Sequence, residues 1–372
     1  MFDTTLSHAT GNDTTTEIET EIRKIIDARA ARSGAYGVHF LELCDLAAAQ
    51  LNGGKLLRPR LLMGAFDALT TERTVTTDTR SVALEIAAAV EILHFAFLLH
   101  DDIIDEDLLR RGRPNLVGHL AGRTSSAKQA TMEQAISDAR RLHWARSSGL
   151  LVGDLMLTIA HQAFARARVS EEHRLRLLDL LDATVTETMA GEYCDVGLAD
   201  GCITPDLELV LNMTRMKTAA YTFELPLRVA SIICGSDHRL EQQLGSVGRH
   251  LGLAFQLQDD LLSAFGQSET HGKEPYSDFR EGKETALIAY ARMTHAWPSI
   301  EQLIGAEEFS EESGRRIQNL LIECGAKQFV ESMVQDQTRA ALSMLSAHEG
   351  VVPTTVSQFI LTFVDDLNGR RA

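Results

Sequence analysis

Apolar residues recur at three- and four-residue spacing along most of this chain. That is the period of helices buried along a stripe. The stretch ALEIAAAVEILHFAFLLHDDIID, residues 83–105, is the most apolar. RRLHWARSSGLLVGDLMLTIAHQAFARA (140–167) and RLRLLDLLDATVTETMAGEYCDV (174–196) carry the same period. So do LVLNMTRMKTAAYTFELPLRVASII (209–233) and QQLGSVGRHLGLAFQLQDDLLSAF (242–265). Ala, Leu and Glu dominate these runs, and all three favour helix. No alternating apolar and polar run is long enough to predict a sheet. The pattern predicts an all-α fold whose helices are buried on several sides.

Polar breaks fall near 70–80, 122–140, 199–206 and 266–282. None has the length or composition of an interdomain linker. The chain therefore reads as a polar, disordered segment over 1–18 and one all-α domain over 19–372. The segment AGRTSSAKQATMEQAISDAR (121–140) reads as a mobile surface loop.

Composition changes the picture only at a few points. The chain has 372 residues, 44% of them hydrophobic, enough for a sizeable core. Its formal net charge of -16 excludes nucleic acid and disfavours an anionic membrane surface. An anionic ligand would need a local basic cluster or metal ions. Five scattered cysteines, with no C-x-x-C pair, suit reduced thiols in a cytoplasm. The opening MFDTTLSHATGNDTTTEI lacks the regions of a signal peptide. Glu85, Glu91 and His94 interrupt the most apolar run, which reads as a core helix and not a transmembrane segment.

Candidate chemistry begins where that run ends, in LLHDDIIDEDLLRRGRP (98–114). Asp101 and Asp105 are one helical turn apart and share a face with Asp102 beside them. Like charges so spaced repel, and the cost rises near a core unless a cation is present. Hard oxygen ligands in this arrangement suit Mg²⁺ that also binds substrate phosphates. Alone, the pattern more often marks a solvated acidic helix end, because acidic clusters are common. A second acidic pair, Asp259 and Asp260, ends another apolar run. Two such helices facing each other could hold several metal ions around one polyphosphate. Basic groups alternate with the acids: Lys55, Arg58 and Arg60; Arg110, Arg111 and Arg113; Lys273, Arg280 and Lys283. Arginine forks and lysine point charges both suit diphosphate.

In order, GGKLLRP, DDIIDEDLLRRGRP, GDLML, MAGEYCDV, MKTAAYTF, FQLQDDLLSAFG and GKEPYSDFREGK resemble the blocks of the trans-isoprenyl diphosphate synthase (polyprenyl synthetase) family. The resemblance covers nearly the whole chain. It implies an antiparallel α-helical bundle around a deep central cavity, commonly a homodimer. It implies a prenyltransferase that takes isopentenyl diphosphate and an allylic diphosphate, with two or three Mg²⁺ ions, for which Mn²⁺ can substitute. Asp101, Asp102, Asp105, Asp259 and Asp260 match the metal ligands. Lys55, Arg58, His94 and Arg111 match contacts to isopentenyl diphosphate. Arg110, Lys217, Thr218, Gln256, Lys273 and Lys283 match contacts around the allylic diphosphate, and Asp195 is a weaker transfer of the same sort. Asp101, Asp105, Arg110, Lys217 and Lys273 are the expected catalytic set.

Two features qualify the match. Many relatives have a third aspartate where this chain has Ser263, which implies weakened metal binding on that side. Phe97, one turn before Asp101 and next to Ala96, implies a partly obstructed channel for the growing tail. The expected product is geranylgeranyl diphosphate, with farnesyl or longer polyprenyl diphosphate as alternatives. A class I terpene cyclase would not need the basic groups of GGKLLRP and RRGRP. A non-catalytic subunit of a heteromeric synthase is the remaining alternative, although such subunits tend to lose aspartates that this chain keeps.

Overall fold

The computed structural model describes residues 5–51, 54–71, 76–110, 112–122, 132–266, 276–346 and 351–369. Helices α1 (Thr5–Ser33), α2 (Val38–Leu51), α3 (Leu57–Thr70) and α4 (Thr77–Ile104) come first. A two-stranded hairpin follows, β1 (Leu109–Arg110) and β2 (Arg113–Pro114), and then α5 (Leu116–Ala121). The chain continues through α6 (Met132–Ala165), α7 (Glu171–Ala199) and α8 (Leu207–Thr214). A π-helix (Arg215–Glu224) leads into α9 (Leu225–Ile233) and α10 (His238–Phe265). The rest is α11 (Ser277–Glu281), α12 (Ala286–Arg292), α13 (Trp297–Ile300), α14 (Glu311–Glu323), α15 (Ala326–Ser346) and α16 (Thr354–Gly369). The all-α expectation holds.

Two compact units can be distinguished. The first comprises Met1–Gly64 and Thr74–Leu178, the second Ala65–Arg73 and Asp179–Ala372. In the first unit α4 packs against α6, α1 and α5. Thr76 caps α4 by accepting from the Thr79 N–H, and Asp78 in the first turn complements the positive end of the helix. From Ala87 to Leu93 every residue of α4 is buried, so the helix is enclosed on all sides and not along one stripe. Each Val, Leu or Ile buried in this way contributes roughly 1.5–3 kcal/mol. By length and composition α4 could span a bilayer, but 78% of its most apolar stretch is buried inside the protein, as for a core helix.

The hairpin that follows turns the chain back along the end of α4. Its pairing sets Leu109 opposite Pro114 and Arg110 opposite Arg113. Gly112 takes φ +70° at the turn, a conformation that favours glycine. Asn115 then caps α5, its Oδ1 accepting from the Gly118 N–H at 2.8 Å. A Cβ at Gly118 would lie 2.0 Å from the Leu108 carbonyl oxygen. Any side chain there would push the hairpin off its base.

In the second unit α10 is central, packed by the π-helix, α9 and α15. Asp237 caps it, accepting from the Leu240 N–H at 2.8 Å. Leu257, Leu261 and Ala264 of α10 join Phe279, Leu287, Ile288, Ile317 and Leu321 in one apolar cluster.

Two expectations about polar segments are corrected. Within the 1–18 segment α1 is helical from Thr5 onward, and residues 1–4 lie outside the described ones. Ile18, Ile22 and Ile26, spaced by four, are buried at 0%, 3% and 5% exposure and dock the helix, and Arg80 ties Glu17 down through paired bonds of 3.0 and 2.7 Å. The 121–140 segment is helical from Met132, as the start of α6. Residues 123–131 of that segment lie outside the described ones.

Candidate active site

The first acidic motif ends α4. Asp101 and Asp102 lie in its last turn, and Asp105 is its C-cap. A helix C-terminus carries partial negative charge, so cations are favoured there and acids are not. The last turn of α4 holds no basic residue. Three acids at that end require positive charge from elsewhere.

Arg110 supplies part of it. The hairpin carries Arg110 back so that its Nε and Nη2 donate to Asp102 Oδ1 at 3.0 and 2.6 Å. Nη2 also donates to Asp101 Oδ2 at 3.2 Å. Asp102 is 3% exposed, whereas Asp101 and Asp105 remain partly open. Burial pushes the Asp102 carboxyl from 3.8 up to about 6, against the opposing pull of Arg110. Burial would lower the pKa of Arg110, but the Asp102 and Asp101 carboxylates outweigh it and raise the value. Asn115 is buried beside this group, favours the ionised Asp102 carboxyl and donates from Nδ2 to the Asp107 carbonyl at 2.8 Å. Sequence reasoning missed Asn115. The available signal was an Asn set just before a helical run, the usual place of a cap.

Around the motif, His100 Nε2 lies 3.4 Å from Asp154 Oδ1 of the GDLML block. Arg146 binds Glu106 at 3.0 Å. Further back on α4, His94 is partly buried, and Arg58 on α3 is 9% exposed. Lys55 is exposed. A Cβ on Gly54 would lie 3.3 Å from Glu91 Oε1, so Gly54 rests on that buried acid, one turn before His94. Glu91 is a second residue that sequence reasoning missed. Arg111 lies outside the described residues.

The second unit holds the other candidates. Lys217 and Thr218 start the π-helix. The Lys217 ammonium lies 2.6 Å from Asp195 Oδ2 and 2.9 Å from Glu192 Oε2, both on α7. Glu192 was not foreseen, although it stands three residues before Asp195, on the same helical face. On α10, Gln256 donates to Asp260 Oδ1 at 2.9 Å. Asp260 is buried and Asp259 partly open. Ser263 is 7% exposed, and its Oγ has no hydrogen-bond partner among the described residues. Lys283 pairs with Glu281 at 3.0 Å. Lys273 lies outside the described residues.

Among the described residues, no three His, Cys, Asp or Glu side chains form a closed metal cage. The donor set nevertheless fits Mg²⁺. Asp101 and Asp105 are hard oxygen donors, partly open, at the negative end of a helix. Mg²⁺ is commonly held by one or two carboxylates with waters and substrate phosphates supplying the rest.

The polyprenyl synthetase family model matches residues 42–321. A geranylfarnesyl diphosphate synthase of Aeropyrum pernix is 30% identical over 297 residues, 79% of this chain and 83% of that protein. A geranylgeranyl diphosphate synthase of Methanosarcina mazei is 28% identical over 281 residues, 76% of each chain. Among solved structures, a geranylgeranyl pyrophosphate synthase of Corynebacterium glutamicum, complexed with isoprenyl diphosphate and magnesium, is similar at a TM-score of 0.82. It is 27% identical, and the match covers 95% of this chain and 98% of that one. With the motifs in family order and the fold all-α, these matches establish that the chain belongs to the polyprenyl synthetase family and is a trans-prenyltransferase.

Proposed function

We propose that this enzyme condenses isopentenyl diphosphate with an allylic diphosphate and that its main product is geranylgeranyl diphosphate. One observation carries the reading. Three aspartates crowd the negative end of an apolar helix that is buried on all sides from Ala87 to Leu93, with Arg110 drawn onto two of them. Asp101, Asp102 and Asp105 of the first unit and Asp259 and Asp260 of the second would hold Mg²⁺. The ions, two or three, or Mn²⁺ in their place, would supply Lewis-acid neutralisation of diphosphate charge. The chain's own cations do the rest. Arg110, Lys217, Lys273 and Lys283 hold the allylic diphosphate and stabilise the charge that develops as it leaves. Thr218 and Gln256 supply hydrogen bonds. Lys55, Arg58, His94 and Arg111 hold isopentenyl diphosphate so that its double bond meets the allylic cation. The released pyrophosphate takes the proton lost from the adduct.

Phe97 supports the product length. It is 7% exposed on α4, beside Ala96 at 0%, and stands ~6 Å below Asp101 along the axis. A single ring forms an intermediate floor. Names among matching relatives run from farnesyl to octaprenyl diphosphate synthases, and this floor favours the short end of that range. The intact first motif disfavours a non-catalytic subunit. The family match runs through both compact units, which supports one catalytic domain over 19–372. Trp144 and Leu151 of α6, two turns apart and 56% and 64% exposed, support a homodimer. Five free thiols suit the cytoplasm.

The test is product chromatography after dephosphorylation, with Mg²⁺, isopentenyl diphosphate and a C10 or C15 allylic diphosphate. The expected product has four isoprene units. Phe97→Ala should lengthen it and Ala96→Phe should shorten it. Absence of any condensation product from folded protein would overturn the function, and an unchanged product in both variants would overturn the floor.

A further inference from the structure

Lys217 and Thr218 do not sit on an α-helix. They open a π-helix of ten residues, RMKTAAYTFE. Such helices are rare beyond one turn and concentrate at functional sites. A backbone in this register needs support from its neighbours, and here three glycines let those neighbours press directly on it. A Cβ on Gly191 of α7 would lie 2.4 Å from the Lys217 nitrogen. One on Gly252 of α10 would lie 2.6 Å from the Ala219 Cα, and one on Gly248 2.7 Å from the Glu224 Cα. No side chain fits at these points, so the two helices grip the π-helix at its start and at its end.

Glu224 closes the π-helix and fixes that end by charge. Its carboxylate is 5% exposed. Oε1 accepts from Arg249 Nη1 of α10 at 2.6 Å and from Arg228 Nη1 of α9 at 3.1 Å. Arg228 also donates from Nε and Nη2 to Glu241 Oε1 at 3.1 and 2.8 Å, and Glu241 is 3% exposed. Two acids and two guanidinium groups thus lock the end of the π-helix to α9 and α10. A buried carboxylate so enclosed holds its place firmly, since losing one partner leaves an uncompensated charge. None of the four groups belongs to the proposed reaction.

We propose that Glu224, held by Arg228 and Arg249, is a positioning residue that fixes the π register of 215–224 and so aims Lys217 and Thr218 at the allylic diphosphate. The inference rests on the reading of Lys217 as an allylic contact. If the clamp is loosened, the segment is free to relax toward the ordinary i→i+4 register, which turns Lys217 relative to α7 and α10. The consequence falls on one substrate, because the residues assigned to isopentenyl diphosphate lie on other elements.

The experiment measures KM for each substrate and kcat in Glu224→Gln, Arg249→Met and Lys217→Ala. Both clamp variants should raise the allylic KM ~10-fold or more, within the range that a misplacement of about 1 Å can cost. They should leave the KM for isopentenyl diphosphate unchanged, and amide exchange within 215–224 should accelerate. A purely structural clamp would lower the folded fraction and apparent kcat without moving one KM alone. An unchanged allylic KM in the folded clamp variants, while Lys217→Ala raises it, overturns the inference and leaves the proposed function standing. An unchanged allylic KM in Lys217→Ala overturns the assignment of Lys217 and the inference with it. If Glu224→Gln does not fold, Arg249→Met, altered at a partly exposed side chain, carries the same demand. Loss of fold in both assigns the clamp to global stability and overturns the proposal.

Discussion

The two acidic motifs look alike as strings but differ in their place on the helix. Asp101, Asp102 and Asp105 stand at the very end of α4, where the backbone already carries negative charge. Asp259 and Asp260 lie inside α10, which runs on to Phe265. At the end of α4 the third acid is a partly open C-cap. One turn after Asp259 the corresponding residue is Ser263, buried beside Leu261 and Ala264 of an apolar cluster. A carboxylate there would be costly to desolvate. The difference teaches that one motif is built to need an external cation, while the other is half enclosed and steadied by the Gln256 amide. On the proposed reading, metal binding therefore leans on the first motif.

The largest expected effect tests that asymmetry. Asp101→Ala and Asp105→Ala should each lower kcat by at least ~100-fold, the loss expected when stabilisation of leaving-group charge is removed. Asp259→Ala should cost less. Steady-state turnover of the three folded variants decides the matter, and an equal loss at Asp259 would break the comparison.

The next effect concerns Asp102, whose folded pKa lies at about 6 against an ordinary value of 3.8. A raised carboxyl pKa means that the folded state binds more protons than the unfolded one between these values. The Asp102 contribution to stability is therefore present below about pH 4 and is lost as pH rises through about 6. Asp102→Asn does not titrate. The stability of this variant relative to the unaltered protein should rise by about 3 kcal/mol across that window. Denaturant titrations at pH 3.5 to 7 measure it. A flat difference would mean that Arg110 keeps Asp102 ionised throughout.

A smaller effect separates the two diphosphates. Lys55→Ala or Arg58→Ala removes a charge-assisted contact, so the KM for isopentenyl diphosphate should rise ~10-fold or more. The allylic KM should stay within a factor of about two. Equal shifts in both would show that the basic groups are not partitioned as proposed.

The helices were legible because apolar spacing reports burial directly, and the aspartates because adjacent acids after an apolar run are conspicuous. The start of α1 was not, since polar and small residues dominate its opening and its described buried anchors, Ile18, Ile22 and Ile26, come later. The π-helix was hidden for a different reason. MKTAAYTF has helical composition in either register, and what selects the register is tertiary packing by Gly191, Gly248 and Gly252. The Arg110–Asp102 pair required knowing that RRGRP turns back as a hairpin. Glu91 read as an interruption of an apolar run, and its place under Gly54 emerges only in the folded chain.

The most direct test of the central claim is equilibrium binding of Mn²⁺ in the presence of inorganic pyrophosphate, read by magnetic resonance of the free ion. The unaltered protein should take up Mn²⁺ together with pyrophosphate. The Asp101→Ala, Asp105→Ala double variant should lose most of that uptake while keeping its helical content. Equal Mn²⁺ uptake by the two proteins would contradict the assignment of the metal to the end of α4.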